Sequence, residues 1–146
     1  MDAEILERLI GAREDAPALE AMLSELGVQG KLRPDEDGCA IIEKPELGLA
    51  LTLVPESEKS SWFKLAQVEF FSDVEEDFEI FSGALPGGLD WRDRPGTVRQ
   101  KLGEPTKVNE STRMEIWIRG RYQINVRYNR SLTAISGILL CEPIVG

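Results

Sequence analysis

The chain has 146 residues, of which 42% are hydrophobic and 29% are charged, a composition typical of a globular protein and not of a disordered one. This length predicts one domain, residues 1–146, with a single continuous core. No apolar run approaches the ~20 residues that cross a bilayer. The first residues also lack the basic start and apolar run of a secretory signal. We therefore expect a cytoplasmic protein that does not contact a membrane.

The reactive residues are few. The chain has no histidine and two cysteines, Cys39 and Cys141, whereas structural zinc usually takes four Cys or His ligands. A histidine-based triad cannot be assembled, and Gly83–Gly88 lacks the Gly-Lys-Ser ending of a phosphate-binding loop. We expect no metal, no cofactor and no catalytic residues, and we interpret the cysteines as small buried hydrophobic residues.

The two parts of the sequence differ in charge. The net charge is −9, but residues 1–90 contain 21 acids and 7 bases, whereas residues 91–146 contain 5 acids and 10 bases. Such a split predicts a polar field that steers a charged partner. An acidic chain repels nucleic acid, so a basic protein is the better candidate partner. The simpler alternative is that the acidic surface only maintains solubility.

Two amphipathic helices are predicted at residues 2–10 and 16–26, ending at Gly11 and Gly27. Apolar residues recur at helical spacing in both, namely Ile5, Leu6, Leu9 and Ile10, then Leu19, Met22, Leu23 and Leu26. The two helices form a hairpin whose apolar faces are expected to cover a sheet. Alternatively, these faces could dock a partner helix.

Strands are predicted wherever apolar residues alternate between turn signals. They are expected at residues 39–43, 49–54, 62–71, 114–119, 122–128 and 132–141. In the strand 114–119, we expect Met114, Ile116 and Ile118 to point inward and Glu115, Trp117 and Arg119 to point outward. The predicted fold is α+β: an N-terminal helical hairpin packed on an antiparallel sheet of six or seven strands, with one short inserted helix.

The inserted helix is predicted at residues 94–102. Pro86–Gly88 forms a turn before it, Asp93 is the expected N-cap, and Gly103 and Pro105 end it. Val98 and Leu102 share its apolar face. This segment carries no reactive group and is interpreted as a structural signature.

Acidic residues cluster at two places. Five carboxylates fall within seven positions, at Asp73, Glu75, Glu76, Asp77 and Glu79, and a second group comprises Asp35, Glu36 and Asp37. The first run lacks the regular offsets and the glycine of a calcium loop, and a catalytic pair would need a pocket that separates two acids. These residues form either a solvated rim or a surface that contacts a basic partner, and we take them as candidate partner-binding residues.

The turn and inserted helix carry a resemblance to known proteins. Leu85–Leu89, followed by Arg94, Val98 and Leu102–Pro105, is similar to a recurrent bacterial pattern in which a Leu-Pro-x-Gly-Leu turn precedes a short helix ending in Leu-Gly-x-Pro. A related helix ending occurs in the small lipoprotein of the outer-membrane β-barrel assembly machine and in β-lactamase-inhibitor-like domains, which pack helices on one face of an antiparallel sheet. With its N-terminal hairpin, the chain as a whole resembles small cytosolic immunity proteins encoded beside secreted toxins of polymorphic or type VI-like systems.

The resemblance implies an immunity protein that binds a cognate toxin and occludes its active site without doing chemistry. Two alternatives stay open. One is a secretion chaperone or adaptor that holds an effector protein through the apolar helical hairpin. The other is a carboxylate-dependent hydrolase, which requires a pocket with at least two buried acids.

Overall fold

A computed structural model describes residues 1–72 and 77–143. These residues form three α-helices: α1 (Ala3–Leu9), α2 (Pro17–Glu25) and α3 (Pro95–Leu102). They also form seven strands: β1 (Ala40–Lys44), β2 (Leu49–Pro55), β3 (Phe63–Phe71), β4 (Lys107–Asn109), β5 (Met114–Arg119), β6 (Tyr122–Tyr128) and β7 (Ile135–Cys141). The predicted α+β class, with a helical hairpin, an antiparallel sheet and a short inserted helix, is confirmed.

The seven strands form one antiparallel sheet in the order β1-β2-β3-β7-β6-β5-β4. The early strands β1–β3 therefore occupy one side of the sheet, and the late strands β4–β7 occupy the other. The pairing of β3 with β7 joins the two sides. As a result, much of the charge difference between the two parts of the sequence becomes a charge difference across the sheet. The helix α1 is the exception, because it lies beside the β5–β6 turn, where Arg121 donates to the carbonyl of Arg8 at 3.2 Å.

The loop that connects α1 to α2 is hydrogen-bonded to the sheet. Gly11, with a φ of 87°, donates its N–H to the carbonyl of Leu65 at 2.7 Å, and Glu14 donates its N–H to the carbonyl of Phe63 at 2.7 Å. A positive φ favours glycine because a Cβ would crowd the backbone. The connection between α1 and α2 thus lies along the start of β3.

The core lies on one face of the sheet. Most of the predicted apolar residues of both N-terminal helices are buried there with alternate residues of the strands and with α3. The exception is Ile5, which is 51% exposed, so its predicted place on the apolar face is wrong. Leu6 and Leu19 are fully buried, and so are Leu51 and Leu140 on the sheet. The helical hairpin therefore covers the protein's own core, as expected of amphipathic helices.

The predicted orientation of β5 is wrong. Glu115 and Trp117 are 4% and 3% exposed, whereas Ile118 is 38% exposed. The reason is α3, which covers the face that carries Glu115 and Trp117. The indole N–H of Trp117 donates to the carbonyl of Gly103 at 2.9 Å, directly after the end of that helix.

The predicted cap of α3 is also wrong. The helix starts at Pro95, and Arg94 occupies the N-cap without a side-chain cap. The Asp93 carboxylate instead accepts the N–H of Asp90 at 2.9 Å and pairs with Lys101 at 2.7 Å. The Asp93 side chain therefore stabilises the loop before α3 and contacts Lys101 in the last turn of the helix.

The two cysteines are free and lie on different parts of the sheet. Cys39 precedes β1, Cys141 ends β7, and β2 and β3 lie between those strands. At about 4.8 Å per strand, this separation exceeds the reach of a disulfide. Burial, with a contribution from Glu142, raises the pKa of the Cys141 thiol.

Candidate functional site

The first acidic group lies only partly in the described structure. Asp73, Glu75 and Glu76 fall outside the described residues, while Asp77 and Glu79 are exposed. The N–H of Glu79 donates to the carbonyl of Pro45 at 2.8 Å, which ties this segment to the turn between β1 and β2.

The second acidic group precedes β1. Asp35, Glu36 and Asp37 are all exposed. One carboxylate oxygen of Asp35 accepts the N–H groups of Asp37 and Cys39 at 2.9 and 3.0 Å. Asp35 therefore helps to hold its own turn, whereas Glu36 and Asp37 make no side-chain hydrogen bond within the described part of the chain.

The described members of the first group, Asp77 and Glu79, lie near the opposite end of β1 from Asp35–Asp37, because Glu79 is hydrogen-bonded to Pro45 after the strand and Asp35–Asp37 precede it. That strand is at an edge of the sheet, and between the groups it presents Ile41, which is 54% exposed, and the exposed Glu43. Within the described residues, Asp77 and Glu79 therefore lie at one end of this edge and Asp35–Asp37 at the other.

A third acidic feature, which the sequence analysis did not identify, is a groove with a volume of about 650 Å³. We call it the acidic groove. It lies between α2, the segment that follows α2, and the residues before β3. Its lining comprises Glu14, Asp15, Glu20, Leu23, Ser24, Val28, Gln29, Gly30, Lys31, Leu32, Ser61 and Trp62.

The acidic groove combines charge with an apolar surface. Trp62 is 42% exposed, and the Arg13 guanidinium lies over its ring, 5.2 Å from the centroid. Arg13 also pairs with Asp15 at 2.6 Å, and its hydrogen bond holds the pKa of Asp15 below the ordinary value. Arg13 therefore already covers the Trp62 ring and neutralises Asp15, and Glu14 accepts the N–H of the first residue of β3 at 2.9 Å. Glu20 is the lining carboxylate that makes no hydrogen bond or ion pair within the described residues, so it is the one open to a cationic partner.

A buried polar cluster lies on the opposite side of the molecule. The Tyr128 hydroxyl donates to one oxygen of Glu115 at 2.8 Å, and Arg99 donates its Nε to the other oxygen at 2.9 Å and its Nη2 to that same oxygen. Burial and the Glu115 carboxylate raise the pKa of Tyr128 well above its ordinary value. Because β5 was expected to face the other way, sequence reasoning missed this cluster.

The chemistry that these residues allow is limited. Glu115 is the buried carboxylate of the described chain, whereas the hydrolase alternative requires two. Within residues 1–72 and 77–143, no group of His, Cys, Asp and Glu side chains is placed to hold a metal ion. No helix in this part of the chain is long and apolar enough to cross a membrane.

Comparison with known protein families gives no match, and none of the curated proteins matches the sequence. The fold is similar to that of an extracellular protein containing an SCP domain from Bacillus anthracis str. Ames, with a TM-score of 0.58 and 10% identity. That alignment covers 92% of this chain and 44% of the other, so the chain spans less than half of its structural neighbour.

A second neighbour is a DUF4309 family protein (YjgB) from Bacillus subtilis subsp. subtilis str. 168, with a TM-score of 0.44 and 14% identity over 85% of this chain and 77% of the other. At these identities, the comparison with the SCP-domain protein shows a shared fold and does not assign a function.

Proposed function

We propose that the chain is an immunity protein that binds a basic toxin domain and blocks it without catalysis. The observation that supports this most is the gathering of acidic residues on the β1–β3 side of the sheet, where the acidic groove offers a concave surface beside Trp62. The proposed location is the cytoplasm, where an immunity protein meets its toxin.

The physical argument is electrostatic complementarity. A toxin that cleaves nucleic acid needs a basic active site to hold phosphates, and an acidic protein surface mimics them. Trp62 would supply the aromatic anchor that is frequent at the centre of protein interfaces. The exposed carboxylates Glu20, Glu36 and Glu79 would steer the approach of the toxin from the groove and from both ends of β1.

The chaperone alternative has less support. It requires an apolar face of the helical hairpin that is open to an effector. Leu19 and Leu23, at the centre of that face, are 0% and 6% exposed. Both contribute to the core, so an effector could reach them only if the hairpin left the sheet.

Affinity capture followed by a growth assay tests the proposal. The tagged protein is incubated with lysate of its source organism at low salt, washed at increasing salt, and the released protein is identified. We expect a basic partner whose expression arrests growth, and we expect co-expression of this chain to restore growth. A partner that is retained at high salt, or whose expression is harmless, would contradict the proposal.

A further inference from the structure

A second concavity lies on the basic side of the molecule, between the start of α3, the β4–β5 hairpin and the turn after β6. Its volume is about 320 Å³, within the range of small-molecule sites, which begin at about 300 Å³. We call it the Arg113 pocket. It is lined by Pro95, Arg99, Val108, Asn109, Glu110, Arg113, Met114, Glu115, Tyr128 and Leu132.

The pocket is lined by two arginines and two glutamates, and one of the arginines forms no ion pair within the described residues. Arg113 is half-buried, and its Nε donates to the backbone carbonyl of Tyr128 at 3.2 Å. It takes part in none of the ion pairs formed within the described residues. Arg99, the other cation of the lining, is already paired with the buried Glu115. The pocket therefore has one guanidinium free to receive an anion.

The walls beside this cation are apolar and uncovered. Val108 and Leu132 are 51% and 46% exposed, and Met114, which also lines the pocket, is half-buried. Exposed apolar side chains that converge on one concavity gain more from a ligand than side chains scattered over a surface, because a ligand removes them from water together.

The backbone of the pocket is strained at two positions. Arg113 and Leu132 both have a φ of 57°, and they are the two non-glycine residues with a positive φ in the described chain. The left-handed conformation costs an L-residue about 1–2 kcal/mol, and such residues cluster at ligand-binding sites. Both strained residues line the same pocket, although 18 sequence positions separate them.

We propose that the Arg113 pocket binds a small organic carboxylate with an apolar body. The carboxylate pairs with the guanidinium of Arg113, and the apolar body packs on Val108, Met114 and Leu132. A monoanion fits better than a phosphate dianion, because Glu115 is paired with Arg99 and the second lining carboxylate, Glu110, leaves no surplus positive charge for a dianion. This site is independent of the proposed toxin contact, which involves the other side of the sheet.

A matched series of probes tests the chemical class. Hexanoate, hexanol and hexylamine share one apolar chain and differ in the head group. Each is titrated into the ¹⁵N-labelled protein, and the amide shifts of residues 108–115 and 132 are followed. We expect saturable shifts with hexanoate, at least about tenfold weaker binding of hexanol, and no binding of hexylamine. Equal binding of hexanoate and hexanol would overturn the proposal.

Two variants separate recognition from folding. Arg113→Gln should weaken hexanoate binding at least about tenfold, whereas Arg33→Gln, which removes an exposed arginine from the other side of the molecule, should not change it. Leu132→Gly is the second test, since glycine accepts a φ of 57° without strain. We expect this variant to be no less stable thermally than the wild type and yet to bind hexanoate more weakly. Unchanged hexanoate binding in both pocket variants would remove these residues from the site.

Discussion

At the scale of single residues, the most informative group is the cluster of Glu115, Tyr128 and Arg99. A buried carboxylate is costly unless hydrogen bonds and a counter-charge replace its water. Here a phenol and a guanidinium do so, at 2.8 Å and 2.9 Å from the two carboxylate oxygens. The cluster joins β5, β6 and α3, and we expect it to fix how the helix lies on the late strands.

The raised pKa of Tyr128 predicts a specific dependence of stability on pH. Above about pH 10, the ordinary tyrosine pKa, Tyr128 ionises in the unfolded chain and stays protonated in the folded one. The unfolded state then binds fewer protons, so the free energy of unfolding falls as pH rises, by at most about 1.4 kcal/mol per pH unit from this residue. Urea titrations between pH 7 and pH 11 measure the slope.

The Tyr128→Phe variant isolates that contribution. At neutral pH, we expect it to be about 1–3 kcal/mol less stable than the wild type, because one oxygen of Glu115 loses its donor. Above pH 10 the difference should shrink, since phenylalanine cannot ionise. Tyr122→Phe is the control at neutral pH, because the hydroxyl of Tyr122 makes no hydrogen bond within the described residues; burial raises the pKa of Tyr122 as well, so this variant also lowers the alkaline slope. If the Tyr128→Phe protein kept the wild-type slope, the assigned burial of this phenol would be wrong.

At the scale of elements, the sequence predicted the positions of the strands more reliably than it predicted which side chains of each strand point into the core. The bounds of β5 and β6 agree with the prediction because each is a run of alternating side chains and the turn at Gly120 separates the two runs. The prediction of which face of β5 is buried was wrong because both faces carry apolar residues, so alternation alone does not identify the buried face. Burial of Glu115 depends on Arg99 and Tyr128, which lie on other elements.

Three other features could not be predicted from the sequence, namely β4, the acidic groove and the Arg113 pocket. β4 has three residues, all exposed, and therefore shows no hydrophobic pattern. The acidic groove and the Arg113 pocket each combine distant segments, and their shape depends on packing. The sequence shows acidic runs such as Asp35–Asp37, but it does not show that Asp35–Asp37 and Glu79 lie near opposite ends of β1.

The turn between β1 and β2 packs against the backbone around Glu79, and this contact can be tested by substitution of Gly48. Gly48 has a φ of 68°, and a Cβ there would lie 2.3 Å from the carbonyl oxygen of Glu79 and 2.5 Å from the nitrogen of Phe81. Gly48→Ala should therefore cost more than the about 1–2 kcal/mol of a left-handed alanine, because a backbone segment must move as well. Urea unfolding measures this loss.

Gly120→Ala is the matched control for that measurement. Its φ of 66° is nearly the same, but a Cβ at this position meets no atom within 4 Å. We expect the control to show the conformational cost alone. An equal loss of stability in the two variants would mean that the segment around Glu79 does not pack tightly against Gly48.

At the scale of the whole molecule, the strand order determines how the charged residues are distributed across the sheet. A net charge of −9 spread evenly would serve solubility and little else. Because β1–β3 and β4–β7 form the two sides of the sheet, most of the exposed acids lie on the early side and most of the bases on the late side. The exception is α1, where Arg121 donates to the carbonyl of Arg8 and Glu7 interacts with Arg119. The Arg113 pocket lies on the basic side, where a carboxylate is attracted, and the acidic groove lies on the side that attracts a basic protein.

This arrangement predicts which charges control association with the captured partner. Glu20→Lys in the acidic groove and Glu79→Lys beside β1 should each slow association several-fold at low salt and flatten its dependence on ionic strength, because exposed charges at an interface act mainly on the association rate. Glu104→Lys makes the same charge change after α3, on the basic side, and should leave the rate nearly unchanged. Surface plasmon resonance at several salt concentrations measures the association rates of all three variants.

If only Glu79→Lys slows binding, the partner approaches the end of β1 and the groove is not part of the contact. Equal effects of all three substitutions would show that net charge alone drives association, and the proposed acidic interface would be wrong.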